Sequence, residues 1–401
     1  MIRVQLEKAI QLMLDSINEI EETEKIDLLD ANGRVLAEDI YASINNPPFN
    51  KSPLDGYALI ASDTKGATKE NPVKLKVIDE VFAGGFSTKE VRPGEAVRIM
   101  TGAKIPKGAN CILMQELTDE GMDIVEIYKE LSDYANFCFE GEDIEKGTLL
   151  MKKGEVLSCI HQGVISSMGI DKVLVKKIPT VALFVTGDEV SKSGSPLLEG
   201  KIYDSNRQLM YSRLTELGVK PKYVDVLGDD PRVVSNKLIE VIDKVDLVIT
   251  TGGVSVGKKD IFHEVVTLTK ANRLFWKVDL MPGTPAMYYL LKNKPVLSLS
   301  GNPFAALTTF ELLGRPVLAK LTGNKNMETK RVEATLMSDF TKKSKTRRFI
   351  RGKYNEGIIT LTSNKHASGM LASMIGCNAF IDIDAGNEGL HKGEKVKVVL
   401  L

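Results

Sequence analysis

Long hydrophobic runs are missing from this chain, and so is an excess of charge of either sign. No stretch approaches the roughly 18 consecutive apolar residues that span a bilayer, and the opening MIRVQLEKAIQLMLDSINEI has no cationic segment followed by an unbroken apolar core. Neither a membrane span nor a secretory leader is expected, and the expected location is cytoplasmic. Lys plus Arg and Asp plus Glu both number 53, for a formal net charge of zero. Without an overall field, nucleic acid and anionic membrane surfaces are not expected partners. Cysteine is scarce: Cys111, Cys138, Cys159 and Cys377 stand far apart, with no CxxC pair and no histidine at ligand spacing. Reduced, mostly packed thiols are expected, without a zinc site.

What is there is a chain of 401 residues, 43% of them hydrophobic. That exceeds the usual size of one core, so about two to four domains are expected. Leu6, Ala9, Ile10, Met13, Leu14, Ile17 and Ile20 recur at helical spacing, which predicts one amphipathic helix over the first twenty residues. Its partner surface is either this chain's own core or a second subunit. Three prolines between Asn45 and Ala58 forbid helix, predicting a rigid connector that delivers Asp55 to one place and ends in a strand at Tyr57. From there to about Ile144, short β-like runs alternate with Gly, Pro and Asp turns, the pattern of a small, mostly antiparallel β domain. Asp143 lies where the chain leaves it. Asp55 before Gly56 and Asp143 after Gly141 also suit plain turn residues.

From Pro179 the pattern changes. Apolar strands at Val181–Val185, Tyr223–Leu227, Leu247–Ile249, Leu274–Val278 and Val296–Leu299 alternate with helices at Ser205–Leu217, Val233–Ile242, after Ile261 and from Pro303 to about Leu321. That alternation predicts a parallel, doubly wound sheet, in which ligands bind beyond the carboxyl ends of the strands. Those ends carry Asp188 and Glu189, Asp229 and Asp230, Thr251-Gly252-Gly253, and Gly301-Asn302-Pro303. Glycine loops after buried strands let backbone N–H groups turn toward an oxyanion. Carboxylates beside them predict a phosphate held with a divalent cation. Beyond Gly323 short strands return, with a basic run from Lys342 to Lys353 and an apolar last strand, predicting a small C-terminal β domain.

Taken together, PFNKSPLDGYA (48–58), RIMTGAKIP (98–106), Gly141-Glu142-Asp143, TGDE (186–189), GKIYDSN (200–206), Thr251 to Gly257 with Asp260, Gly301-Asn302-Pro303 and SGML (368–371) resemble the molybdopterin molybdenumtransferase family, MoeA in bacteria, and the corresponding domain of gephyrin. The resemblance covers nearly the whole chain. It implies an α/β multidomain fold: an elongated dimerising segment (1–44 and 145–178), an inserted β domain (45–144), a doubly wound, molybdopterin-binding-like α/β domain (179–325) and a C-terminal β barrel (326–401). The implied function is the last step of molybdenum cofactor synthesis. Molybdate is inserted into adenylylated molybdopterin, and AMP is released with the help of Mg²⁺. A homodimer is implied, with transient contacts to the adenylylating enzyme and to apo-molybdoenzymes.

The resemblance also assigns roles. Thr251, Gly252, Gly253, Val254, Ser255, Gly301, Asn302 and Pro303 would bind phosphates and nucleotide, and Arg351 and Ser368 the anionic substrate or molybdate. Asp55, Asp143, Asp188, Glu189 and Asp260 would be catalytic, with Glu189, Asp229 and Asp260 holding Mg²⁺. The chain departs from the family at Met281-Pro282-Gly283-Thr284, where lysines often flank Pro-Gly, and at Asn136-Phe137-Cys138-Phe139, where arginine is usual. These departures leave room for an altered oxyanion such as tungstate. Two other readings stand beside the transferase: a related nucleotide pyrophosphatase or adenylyltransferase, and a carrier or scaffold without chemistry.

Overall fold

The computed structural model describes residues 3–254, 261–363 and 366–401. Contacts divide the chain into two compact units, Met1–Glu24, Gly33–Ala37 and Leu174–Leu401 in one, Lys25–Asn32 and Glu38–Val173 in the other.

The larger unit is built on a six-stranded sheet in the order Tyr223–Leu227, Val181–Thr186, Leu247–Thr251, Lys294–Leu299, Met287–Leu291, Asn272–Trp276. The first four strands run parallel. The last two are antiparallel additions, so the expected all-parallel sheet is corrected to a mixed one. The strand Met287–Leu291 has no counterpart among the expected elements. It joins Lys294–Leu299 through a tight turn in which Lys292 and Asn293 both have positive φ, 50° and 63°. Such turns normally carry Gly or Asn-Gly, and a Lys-Asn pair gives no warning.

The first helix spans Leu6–Asp15, shorter than predicted, and ends at Ser16, whose hydroxyl donates to the Met13 carbonyl at 2.7 Å. A local side-chain bond of this kind competes with helix continuation. Its buried face, Leu6, Ala9 and Met13, joins the core around Leu183, Ile249 and Phe310, so this chain's own core covers the apolar stripe. The helix opened by Pro303 runs to Thr322 through a π-helical turn at Phe310–Gly314. Pro316 follows that turn and lacks the N–H an α-helical ladder needs. Within the π turn Glu311 is fully buried, bonded to Arg213 at 2.6 Å and Arg315 at 3.0 Å. Arg315 continues to the carbonyls of Met327 and Glu328 at 2.8 and 3.0 Å, so each buried charge has its partner.

Five strands, Lys330–Leu336, Ile358–Leu361, Arg348–Asn355, Ala379–Ile383 and Lys395–Leu400, close into a barrel. Its strand Arg348–Asn355 is tied to the loop between the sheet strands Asn272–Trp276 and Met287–Leu291: Met281 N–H donates to the Arg347 carbonyl at 2.8 Å, and Phe349 N–H to the Met281 carbonyl at 2.7 Å.

The smaller unit holds a five-stranded sheet of Cys111–Met114, Gly56–Leu59, Glu95–Ile99, Val73–Val81 and Ile124–Ile127. One pair, Val73–Val81 with Glu95–Ile99, is parallel, and the others are antiparallel. Its helix Cys159–Ser167 starts with a capping box between Ser158 and His161. Phe137 and Phe139, in the segment that departs from the family, pack on Tyr134 with centroids 5.5 and 5.2 Å away. All four cysteines are free; Cys111 is buried, its thiol pushed up to about 12 by burial, whereas Cys159 is exposed. Among the described residues no helix is long and apolar enough to cross a membrane.

Candidate functional site

A cleft of about 660 Å³ opens at the carboxyl edge of the parallel strands. Glu189, Asp229, Gly252, Gly253, Val254, Gly301, Asn302 and Pro303 line it, so the structure brings together residues predicted from four separate strand ends. Gly252 has φ +94°, and a Cβ there would lie 2.2 Å from the Thr186 carbonyl oxygen. At Gly301 a Cβ would lie 3.4 Å from the Gly252 Cα. The two glycine turns thus pack against each other, an approach that side chains would block. The Gly252 N–H is already engaged by the Leu299 carbonyl at 3.1 Å, leaving Gly253 to carry the next amide of the loop.

The acids at the rim are organised by backbone. Asp188 and Asp229 stand at the ends of neighbouring strands, and each accepts from the other's backbone: Asp188 N–H to Asp229 Oδ2 at 3.2 Å, Asp229 N–H to Asp188 Oδ1 at 3.0 Å. Thr251 is fully buried at the end of its strand, its hydroxyl without a hydrogen-bond partner among the described residues. Among the described residues no three His, Cys, Asp or Glu side chains form a group able to hold a metal ion. Ser255 and Asp260 lie outside the described residues.

The loop is braced from the antiparallel edge. Trp276, the only tryptophan in the chain, donates its indole N–H to the Val254 carbonyl at 3.3 Å. His263 meets the indole edge-on at 4.1 Å, and the Lys277 ammonium sits 4.1 Å from its centroid.

A second cavity, about 360 Å³, shares Ser300 and Asn302 with the first and is otherwise lined by Met281 to Pro285, Ala305, Arg348 to Ile350 and His366 to Ser368. Here lie both the Met281 and Thr284 departures. Arg348 points its Nη2 at the Met281 sulfur, 3.3 Å away, and its Nε is buried without a hydrogen-bond partner among the described residues. Burial, then the Lys342, Arg351 and Arg348 cations, lower His366 to about 4. Ser368 lines this cavity, and its carbonyl accepts from Phe304 N–H at 3.2 Å. Arg351 is 1% exposed; it donates to Ser373 Oγ at 2.5 Å and the Ala367 carbonyl at 2.7 Å and stacks 3.9 Å from the Phe304 ring.

In the smaller unit, Asp55 Oδ1 accepts from both the N–H and the hydroxyl of Thr101, each at 2.7 Å. These bonds hold its carboxyl below the usual range. Asp55 therefore reaches across to the TGAK loop and does not cap its own turn. Asp143 is exposed and accepts from Asn46 Nδ2 at 2.9 Å.

Sequence reasoning gave no individual role to Thr101, Asp204, Asn206 or Arg348. The first three sit in quoted motifs, RIMTGAKIP and GKIYDSN, where an Asp-Ser-Asn run before a helix was the available signal. Arg348 was one cation among many.

Fold and site together define a multidomain α/β protein with a glycine-lined, acid-rimmed cleft beside a cavity that holds Arg348. Family models match it end to end: the MoeA N-terminal region, domains I and II, over residues 4–169; a probable molybdopterin-binding domain over 182–320; and the MoeA C-terminal region, domain IV, over 333–401. The molybdopterin molybdenumtransferase of Staphylococcus aureus (strain COL) is 37% identical over 369 residues, 91% of this chain and 88% of that protein. That of Staphylococcus epidermidis is 37% identical over 382 residues, 94% and 90% of the two chains. A crystal structure of the molybdopterin biosynthesis MoeA protein from Pyrococcus horikoshii OT3 is similar with a TM-score of 0.83 at 34% identity, covering 99% of this chain and 100% of that one. The chain belongs to the MoeA family.

Proposed function

We propose that this chain is a molybdopterin molybdenumtransferase, inserting molybdate into adenylylated molybdopterin with release of AMP, the last step of molybdenum cofactor biosynthesis. One observation carries the reading: two adjoining cavities of opposite character share the Ser300 to Asn302 wall, in a chain of this family. The glycine-lined cleft suits the pyrophosphate and nucleotide, on Gly252, Gly253, Val254, Ser255, Gly301, Asn302 and Pro303, with Thr251 behind them. The second suits the oxyanion, on Arg348 and Ser368, with Arg351 holding the Ala367 carbonyl beside it.

Carboxylates facing a pyrophosphate repel it unless a cation intervenes. Glu189 and Asp229 supply hard oxygen donors on one cleft, and Mg²⁺ characteristically takes one or two carboxylates with phosphate and water for the rest. Glu189, Asp229 and Asp260 would hold it, and when bound it neutralises charge developing on the pyrophosphate. Asp188 keeps Asp229 in place through the reciprocal backbone bonds. Asp55 and Asp143 are assigned to the reaction as acids, Asp55 kept ionised by Thr101. A cytoplasmic homodimer that meets the adenylylating enzyme and apo-molybdoenzymes belongs to the same reading.

The test is a defined reaction of purified protein, adenylylated molybdopterin, Mg²⁺ and either molybdate or tungstate. It follows AMP release and activation of an apo-molybdoenzyme. Both products with molybdate are expected. AMP without activation would indicate a pyrophosphatase, and tight nucleotide binding with neither product a carrier. A preference for tungstate would show what Met281 and Thr284 change.

A further inference from the structure

Asn206 opens the helix Asn206–Glu216 and forms part of the first cleft's wall. One end of its amide is committed, since Nδ2 donates to the Gly301 carbonyl at 2.7 Å. A carbonyl accepts only from the nitrogen, so this bond settles which way the amide faces. The residue is 6% exposed, and its Oδ1 is buried with no hydrogen-bond partner among the described residues. An unsatisfied buried acceptor is costly, and native proteins keep few of them. Asn206 lines the cleft, so a ligand seated against this wall is the available source of an N–H or O–H for that acceptor.

Phosphate oxygens ionised at neutral pH accept and do not donate, so the group it takes is not the phosphate itself. Its neighbour Gly301 packs on Gly252 of the phosphate loop, which puts Asn206 beside the group bonded next to a phosphate held there. On a nucleotide that group is the ribose. Ile202 and Tyr203, 58% and 45% exposed on the same cleft wall, offer apolar and aromatic surface to the base beyond it.

We propose that Asn206 Oδ1 accepts a hydrogen bond from a ribose hydroxyl of the bound nucleotide, and that Asn206 thereby selects a ribonucleotide over bare pyrophosphate. This rests on the reading of the cleft as a nucleotide site and names the residue that recognises the sugar.

Calorimetric titration of the full chain with Mg²⁺ and three probes tests it: AMP, 2′,3′-dideoxy-AMP and inorganic pyrophosphate. The wild-type protein is expected to bind AMP about ten-fold more tightly than the dideoxy compound. Asn206→Ala should lose about the same ten-fold toward AMP, no longer discriminate between the two nucleotides, and keep its pyrophosphate affinity within two-fold. Equal wild-type affinity for AMP and dideoxy-AMP would overturn the proposal without any variant. An equal loss toward pyrophosphate in Asn206→Ala would overturn it too, since Asn206 would then act only by supporting Gly301. Failure of the wild type to bind AMP at all would instead remove the functional reading on which it stands.

Discussion

The first cleft is lined by three close-packed glycines, Gly252, Gly253 and Gly301, and rimmed by Glu189 and Asp229. The second is lined by side chains: Arg348 and His366 from the barrel region together with Met281 and Thr284 from the loop between the strands Asn272–Trp276 and Met287–Leu291. Backbone at a strand end is positioned by the sheet, so the first cleft tolerates little change at its glycines and much around them. A side-chain cavity is the reverse, open to substitution at single positions. That contrast explains how the family's lysines could be replaced at Met281 and Thr284 while a cation, Arg348, stays in the same cavity.

The largest effect expected is at an acid that lines neither cavity. Asp55→Ala should lower turnover on the order of 10²–10⁴-fold, the range for losing an acid–base group, with circular dichroism unchanged; an unaltered rate would remove Asp55 from the reaction. Asp260→Ala is expected to behave alike. Gly252→Val comes next. Its side chain would collide with the Thr186 carbonyl at 2.2 Å, shifting the loop amide at Gly253, and loss of one such donor costs about 10²–10³ in rate. AMP affinity should collapse while molybdate binding, measured by calorimetry, holds.

Arg348→Ala inverts that pattern, weakening molybdate about ten-fold, as expected for loss of a half-buried charge contact, and leaving AMP within two-fold. His366 should sharpen the contrast further. Its folded value of about 4 lies below the ordinary 6.5, so the unfolded chain binds its proton first, and stability falls as pH drops from 6.5 through about 4. A bound oxyanion favours the imidazolium, and the histidine proton resonances should titrate at higher pH when molybdate is present; no movement would place the anion elsewhere. The smallest effect is at Trp276→Phe, which removes the 3.3 Å bond to Val254 and should weaken AMP by at most about five-fold.

Much of the first cleft was legible in the sequence because four strand ends carrying glycines or acids coincided, where any one glycine alone reads equally well as a tight turn. The edge of the sheet was less so: Lys292-Asn293 adopts a turn its residue types do not advertise, which hid the strand Met287–Leu291. Ser16 ended the first helix although Ile17 and Ile20 kept the apolar period, because the period records burial and not hydrogen bonding. In the second cavity Ser368, Met281 and Thr284 were legible, whereas Arg348 was not singled out. Arg348 and Arg351 share one strand and one basic run, and only tertiary packing decides that Arg351 turns inward to Ala367 and Ser373 while Arg348 meets Met281. Likewise Asp55 could not be told from a turn residue until Thr101 was found against it.

The account stands on a division of labour between two neighbouring cavities, and crossed titration examines that directly. AMP with Mg²⁺, and separately molybdate, would be titrated into Gly252→Val and Arg348→Ala. The prediction is that Gly252→Val loses AMP alone and Arg348→Ala loses molybdate alone. Loss of both ligands in both variants, or molybdate binding indifferent to Arg348, would contradict it.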